Sequence, residues 1–305
     1  MFAHQVIEDL KNEKEFYAPF LSVKKLDENQ TEKLISWCQF GKQSIGYIQK
    51  SQKIHGGSVF DIEKLITTKG SIFKNELSLY AKTPYTLCWF DFFWNKSKLG
   101  ILVNSLSKDF LCLFFFAKGN GEKIWGVRPV YALISVNKSF KDRDDFQFLE
   151  KLYSGIEGYK TGNVALFAVP KLASDIAPAS MDEIWNWIKI LEKLLILLNC
   201  KNIIAEKTLA PERLNKKRRK AGKQELFDYH VLNVVIPSKK KKSSEKAEPL
   251  SHNRVHLCRG HFKEYTIEKP LFGKLTGLYW WQPHVRGQNK KGIVLKDYVV
   301  NLKGE

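Results

Sequence analysis

Between Glu76 and Val136 the apolar residues come in short dense runs rich in aromatic and β-branched side chains: Thr86–Trp94, Gly100–Asn104, Phe110–Ala117 and Val130–Val136. Turn formers separate them, among them Asn95–Lys98 and Gly119–Asn120–Gly121. Runs of this length between turn residues predict strands, and together an antiparallel sheet with one well-buried face. The aromatic density of CWFDFFW and FLCLFFF reads as core packing, with Asp91 an exposed or paired strand residue. Val164–Val169 is a further strand ended by Pro170.

The pattern changes after Ser180. Ile184, Trp187, Ile188, Leu191, Leu194, Leu195 and Leu198 recur at helical spacing and predict a long helix over about 181–199, wide enough in its apolar stripe to pack on a core. Weaker patterns predict helices at Glu28–Phe40, from Asp61, and over Asp145–Tyr153. The expected fold class is α+β: an antiparallel sheet-rich N-terminal domain over 1–200 with a long packing helix, then a basic β-rich module over 201–305.

Composition supports a folded chain. Of 305 residues 44% are hydrophobic and 13% aromatic, enough apolar surface to offset the entropy of ordering. No uninterrupted apolar run is long enough to span a bilayer, and MFAHQVIEDLKNEKEF lacks the pattern of a signal peptide, so a cytoplasmic protein is expected, with no membrane partner. Five scattered cysteines with no CxxC pair read as buried reduced thiols. GxxxxGK[ST], GxGxxG after a strand, HExxH and GxSxG are all missing, so no cofactor is expected. Gly56–Gly57 beside His55 reads as a turn.

Charge then shifts attention to the last third. The net charge is +18, and residues 201–305 carry 24 Lys and Arg against 10 Asp and Glu, a net of +14. Such a field attracts polyanions. Arg213, Lys216, Lys217, Arg218, Arg219 and Lys220 lie within eight residues, followed by Lys223. On a helix turn or exposed loop they would oppose several phosphates. A polar Lys-rich stretch over 238–250 reads as a mobile loop.

The most chemically loaded stretch follows. His252, His256, His261 and His284 are four of the chain's seven histidines, and Arg254, Arg259, Lys263 and Arg286 lie among them. Alternation puts His256 and Cys258 on one face of a strand that Gly260 ends, with Tyr279–Gln282 as a partner strand and Ile293–Val300 as the last. Three chemistries fit. The first is nucleic-acid binding by the basic cluster, Arg254, Arg259, Lys263 and Arg286, with Tyr279 and Trp280 stacking on bases. The second is metal-independent (ribo)nuclease chemistry, with His256, His261 and His284 sharing acid and base duties and Arg259 stabilising phosphate charge. The third, a structural zinc site from His252, His256, Cys258, His261 or His284, has a spacing unlike the familiar finger patterns, and no metal is assigned.

R-L-N-K-K-R-x-x-x-G-K at Arg213–Lys223, L-F-x-Y-H-V-L from Leu226, and H-x-x-x-H-L-x-R-G-H-F from His252 resemble a family of phage- and prophage-encoded proteins, as does the trailing P-H-V-R-G…G-x-V-x-K-D-Y. The resemblance runs from about Leu209 to Val300. It implies a mobile-element setting in a bacterial host. Separately from the resemblance, a structural or partner-binding role, in which the chain sequesters a host or phage protein through that partner's acidic patches, stands as a further alternative.

Overall fold

In the computed structural model the described residues are 2–12, 28, 41–56, 80–94, 96–123, 125–136, 158–161, 164–168, 178–235, 256–258, 260–281 and 284–286. The helices expected at Glu28–Phe40, from Asp61 and over Asp145–Tyr153 lie outside them but for Glu28, as do the 238–250 stretch and the strand Ile293–Val300.

The fold is mixed α+β, built on a nine-stranded, mostly antiparallel sheet. In chain order the elements are α1 (Ala3–Lys11), a helical stretch over residues 41–50 (α2), β1 (Gln52–His55), β2 (Leu87–Trp94), β3 (Ser97–Ser105), β4 (Phe110–Lys118), β5 (Gly126–Ser135), β6 (Gly158–Thr161) and β7 (Val164–Ala168). Then come α3 (Pro178–Leu198), β8 (Ile203–Thr208), α4 (Glu212–Lys220), β9 (Tyr229–Val234), β10 (His256–Cys258), β11 (His261–Tyr265), β12 (Gly277–Trp281) and β13 (His284–Arg286). The sheet order is β6-β7-β5-β4-β3-β2-β1-β9-β8. The meander β2-β3-β4-β5 pairs antiparallel, as the dense apolar runs predict. Short β1, by contrast, runs parallel to both neighbours, β2 and β9.

Helix α1 forms because Ala3, Val6, Ile7 and Leu10 recur at i, i+3, i+4 and i+7, and all four are fully buried. They pack with Ile48 of α2 and with Trp89, Leu102 and Phe116 of the sheet. Burying a Val, Ile or Leu stabilises by about 1.5–3 kcal/mol each, which docks a nine-residue helix too short to persist alone. On the other face lies α3. It starts at Pro178, slightly before the expected Met181; Trp187 meets Phe115 at 6.1 Å between ring centroids, and a Cβ on Gly56 would come within 3.1 Å of Leu194.

The described chain divides into two compact units, Met1–Asn199 with Ile204–Asn233, and Cys200–Ile203 with Val234–Glu305. The basic cluster therefore belongs to the first unit, whereas the charge shift had placed it with residues 201–305. The reason is physical: β9 extends the main sheet beside β1, and α4 is held against α1, as described next. In the second unit β10 pairs with β13 and β11 with β12, both antiparallel. Asn202 clips this unit internally, donating to the Trp280 carbonyl (2.7 Å) and accepting the Trp280 N–H (2.9 Å).

Candidate nucleic-acid interface and a buried His–Asp pair

The R-L-N-K-K-R segment is helix α4, and its alternate residues do different work. Asn215 is buried and ties the returning chain: its Nδ2 donates to the Leu226 carbonyl (3.1 Å) and its Oδ1 accepts the Leu226 N–H (2.8 Å). Arg218 also faces inward, donating to the Gln224 carbonyl (2.7 Å) and to Glu8 of α1 (2.5 Å). Glu8 accepts the Gln224 N–H as well (3.1 Å). The helix closes with Gly222 at φ 64°, its N–H bonded to the Arg219 carbonyl and that of Lys223 to Arg218, the paired bonds of a Schellman ending. Asp228, which accepts from Ala210 N–H and from Lys207, is held below the usual carboxylate range by those two donors.

Arg213, Lys216, Lys217 and Lys220 occupy i, i+3, i+4 and i+7 of the same helix and are exposed, as is Lys223 just beyond it. No ion pair engages these five among the described residues. Two of the expected phosphate ligands are different. Arg218 is half-buried in its bond to Glu8, and Arg219, though exposed, makes a two-pronged contact with Glu225 at 2.9 Å on both arms. That contact holds the Glu225 carboxyl below its ordinary range.

The expected stacking platform is also corrected. Tyr279 and Trp280 are 5% and 7% exposed; Trp280 packs on Phe262 at 4.7 Å and Tyr279 on Tyr265 at 5.7 Å. Their apolar bulk is better buried than left in water, so they are core of the second unit. Lys263 is exposed and its ammonium sits over Tyr265 at 4.8 Å. His261 is exposed on β11 opposite Trp281, in a different ribbon from His256. In the β10–β13 ribbon His256 is opposite Arg286 and Cys258 opposite His284, so these four positions share one face. His252, Arg254 and Arg259 lie outside the described residues. No group of three or more metal-ligating side chains occurs among the described residues. Cys88 and Cys200 are buried thiols whose pKa burial pushes up to about 12, which makes them poor nucleophiles.

The other three histidines lie on α1 and on the neighbouring strands β1 and β9. Asp91, inside the apolar run CWFDFFW, is 0% exposed. Its Oδ2 accepts the Phe2 N–H (2.7 Å) and Trp89 Nε1–H (3.2 Å), and its Oδ1 lies 2.5 Å from His55 Nδ1. His55 and Asp91 are register partners on parallel β1 and β2. A carboxylate accepts, so the ring proton is assigned to Nδ1 and Nε2 is left as the basic nitrogen. Gly100, opposite Asp91, makes the indole contact possible: a Cβ there would lie 2.3 Å from the Trp89 ring. His4 on α1 has its pKa lowered to about 4, by burial first and then by the Arg218 charge. His230, on β9, pairs in register with Ile54. Lys53 is buried, donates to the Gln49 (2.9 Å) and Ser51 (2.5 Å) carbonyls and covers the Phe227 ring at 4.0 Å; burial lowers its pKa to about 8.

Sequence reasoning read Asp91 as an exposed or paired strand residue, and it is paired; it read Gly56–Gly57 beside His55 as a turn and did not single out His55, which ends β1. The available signal was a single carboxylate with apolar neighbours on both sides, which in a buried strand requires partners. No protein family model, no characterised protein and no solved structure matches this chain. Among the described residues, no helix is long and apolar enough to cross a membrane.

Proposed function

We propose that the protein binds nucleic acid through the outward face of α4. The observation that supports this reading is the division of labour on that helix: Asn215 and Arg218 anchor it, while Arg213, Lys216, Lys217 and Lys220 are exposed and carry no ion pair among the described residues. The stripe is about 10 Å long at about 1.5 Å per residue. At about 3.4 Å per phosphate along a strand it opposes about three phosphates. Arginine and lysine so placed contact backbone phosphate, which positions a protein on nucleic acid without reading its sequence. Lys223 adds a further exposed cation just past the helix, and Arg254, Arg259, Lys263, Arg286 and the Lys-rich 238–250 stretch add to the positive charge that attracts a polyanion. The family resemblance sets this binding in a phage or prophage.

The test is a salt titration of the full chain against labelled single- and double-stranded DNA and RNA. Replacement of the four stripe cations by Gln is expected to weaken binding and flatten its salt dependence. An unchanged affinity and slope would remove α4 as the contact surface.

Cleavage by the C-terminal histidines is a second reading, favoured by the register that sets His256 against Arg286 and His284 two residues away on the same face. Loss of cleavage in His256→Ala with binding retained is its expected signature.

A further inference from the structure

We propose that His55 and Asp91 form a catalytic pair that cleaves RNA by transesterification through the ribose 2′-hydroxyl. The substrate class rests on the nucleic-acid-binding reading above; the chemistry rests on separate geometry.

A general base must be oriented, must keep one nitrogen free and must be reachable. His55 meets each condition. Its Nδ1 lies 2.5 Å from a carboxylate that is itself fixed by a backbone N–H and an indole N–H. Phe2 and Tyr229 meet the imidazole edge-on, each at 6.3 Å, so the ring cannot turn without losing both contacts and the Asp91 bond. The His55 side chain is 16% exposed while Asp91 is fully buried. The buried end is thus the carboxylate, and the solvent-facing end is the ring. Such a second group holds the ring in one tautomer and stabilises the imidazolium that forms during proton transfer. A fully buried carboxylate set at the sheet centre for packing alone is an expensive choice, since an apolar residue would fill the same space.

The site is joined to the basic helix through α1. Phe2, before the first turn of α1, holds Asp91, and Glu8 holds Arg218 of α4, six residues and about 9 Å further along. The chain from Lys220 also returns directly to Tyr229 beside His55. Helix α4 and the His55–Asp91 pair are thus both anchored to the same helix, α1.

A lone base is matched to a substrate that carries its own nucleophile beside the reacting centre, and ribose places the 2′-oxygen next to the phosphorus. His55 Nε2 takes the 2′-hydroxyl proton, and the oxygen forms a bond to the adjacent phosphorus. The bond from phosphorus to the 5′-oxygen breaks, its electron pair leaving on that oxygen, which takes a proton from water. The imidazolium returns its proton to the hydroxide so formed. The products are a 2′,3′-cyclic phosphate and a 5′-hydroxyl.

The test uses the full chain with three probes: a single-stranded RNA, its 2′-O-methyl counterpart, and uridine 3′-(4-nitrophenyl phosphate), which is too small to need the basic helix. The parent is expected to leave cyclic-phosphate ends on RNA, to spare 2′-O-methyl RNA and to release nitrophenolate. His55→Gln is expected to lower turnover of both cleavable probes at least a hundredfold with RNA still bound. RNA bound but neither probe cleaved overturns the pair and leaves the binding reading standing. Nitrophenolate release without RNA binding does the reverse. Cleavage of 2′-O-methyl RNA by the parent, full activity in His55→Gln, or loss of activity in His256→Ala but not in His55→Gln each overturns the proposal. If His55→Gln fails to fold, His55→Asn, whose amide can donate to Asp91 in place of Nδ1 while removing Nε2, is read instead, and full activity in it overturns the proposal.

Discussion

Helix α4 allows a test in which outward and inward cations of one element are predicted to behave in opposite ways. Replacing Arg213, Lys216, Lys217 and Lys220 by Gln removes four exposed charges that have no carboxylate partner among the described residues. Each phosphate neutralised contributes about 0.7 to 0.9 to the slope of log affinity against log salt, so the three phosphates that the stripe opposes account for about 2.4. Across a fourfold rise in salt, from about 50 to 200 mM, the parent should then lose roughly 30-fold more affinity than the variant. Folding stability should hardly change, because surface substitutions away from packed features cost within about 0.5 kcal/mol. Arg218→Gln should do the opposite. Arg218 is 17% exposed and its partner Glu8 33%. Cutting this contact also releases the Gln224 carbonyl, and a cost of about 1–2 kcal/mol is expected. That lowers the melting temperature by a few degrees, at about 2–4 °C per kcal/mol for a domain of this size. Fluorescence anisotropy over a salt series and thermal unfolding of both variants provide the readout. If the fourfold variant keeps the parental slope, or if Arg218→Gln flattens the slope as much without loss of stability, the assignment of faces is refuted.

Asn215→Ala should destabilise by about 1–3 kcal/mol, since Leu226 loses the partner for both of its main-chain groups; thermal unfolding and loss of nucleic-acid affinity should appear together. Gly100→Ala should cost about 1–3 kcal/mol, because the added Cβ would stand 2.3 Å from the Trp89 ring and push the indole off Asp91; near-ultraviolet circular dichroism should report the moved tryptophan, and an unperturbed spectrum would count against the arrangement. Because burial lowers the His4 pKa from 6.5 to about 4, the unfolded chain binds the extra proton in that window. Stability should therefore be unaffected above pH 6.5 and fall as pH drops toward 4, by about 3 kcal/mol at most and nearer 1–2 after solvent screening. His4→Gln should remove that part of the acid sensitivity in denaturant titrations.

The parts of the fold that could be read from sequence are those whose pattern repeats long enough to outweigh chance. Strands β2 to β5 carry runs of eight to ten residues, and α3 repeats its stripe over about four turns of a 21-residue helix. Helix α1 has nine residues and its apolar positions are diluted by His4, Gln5, Glu8 and Asp9, so its period covers barely two turns. Strand β1 has four residues, of which Lys53 is a charged residue buried by its own hydrogen bonds. Such elements are defined by what they pair with rather than by their own composition. The His55–Asp91 pair falls in the same class. Thirty-six residues separate the two, and only the parallel register of β1 on β2 makes them neighbours. The sequence nonetheless held half of the answer. A lone carboxylate in a strand with Trp89, Phe90 and Phe92 around it must either face water or find donors, and β2 is buried at all of those positions. The basic helix held the rest of its own answer in the same way. Written at 100° per residue, Arg213, Lys216, Lys217 and Lys220 fall on one side, and Asn215 with Arg218 on another. The dense positive run that composition presents as a single feature is therefore two, one face that anchors the helix and one whose charges have no carboxylate partner among the described residues.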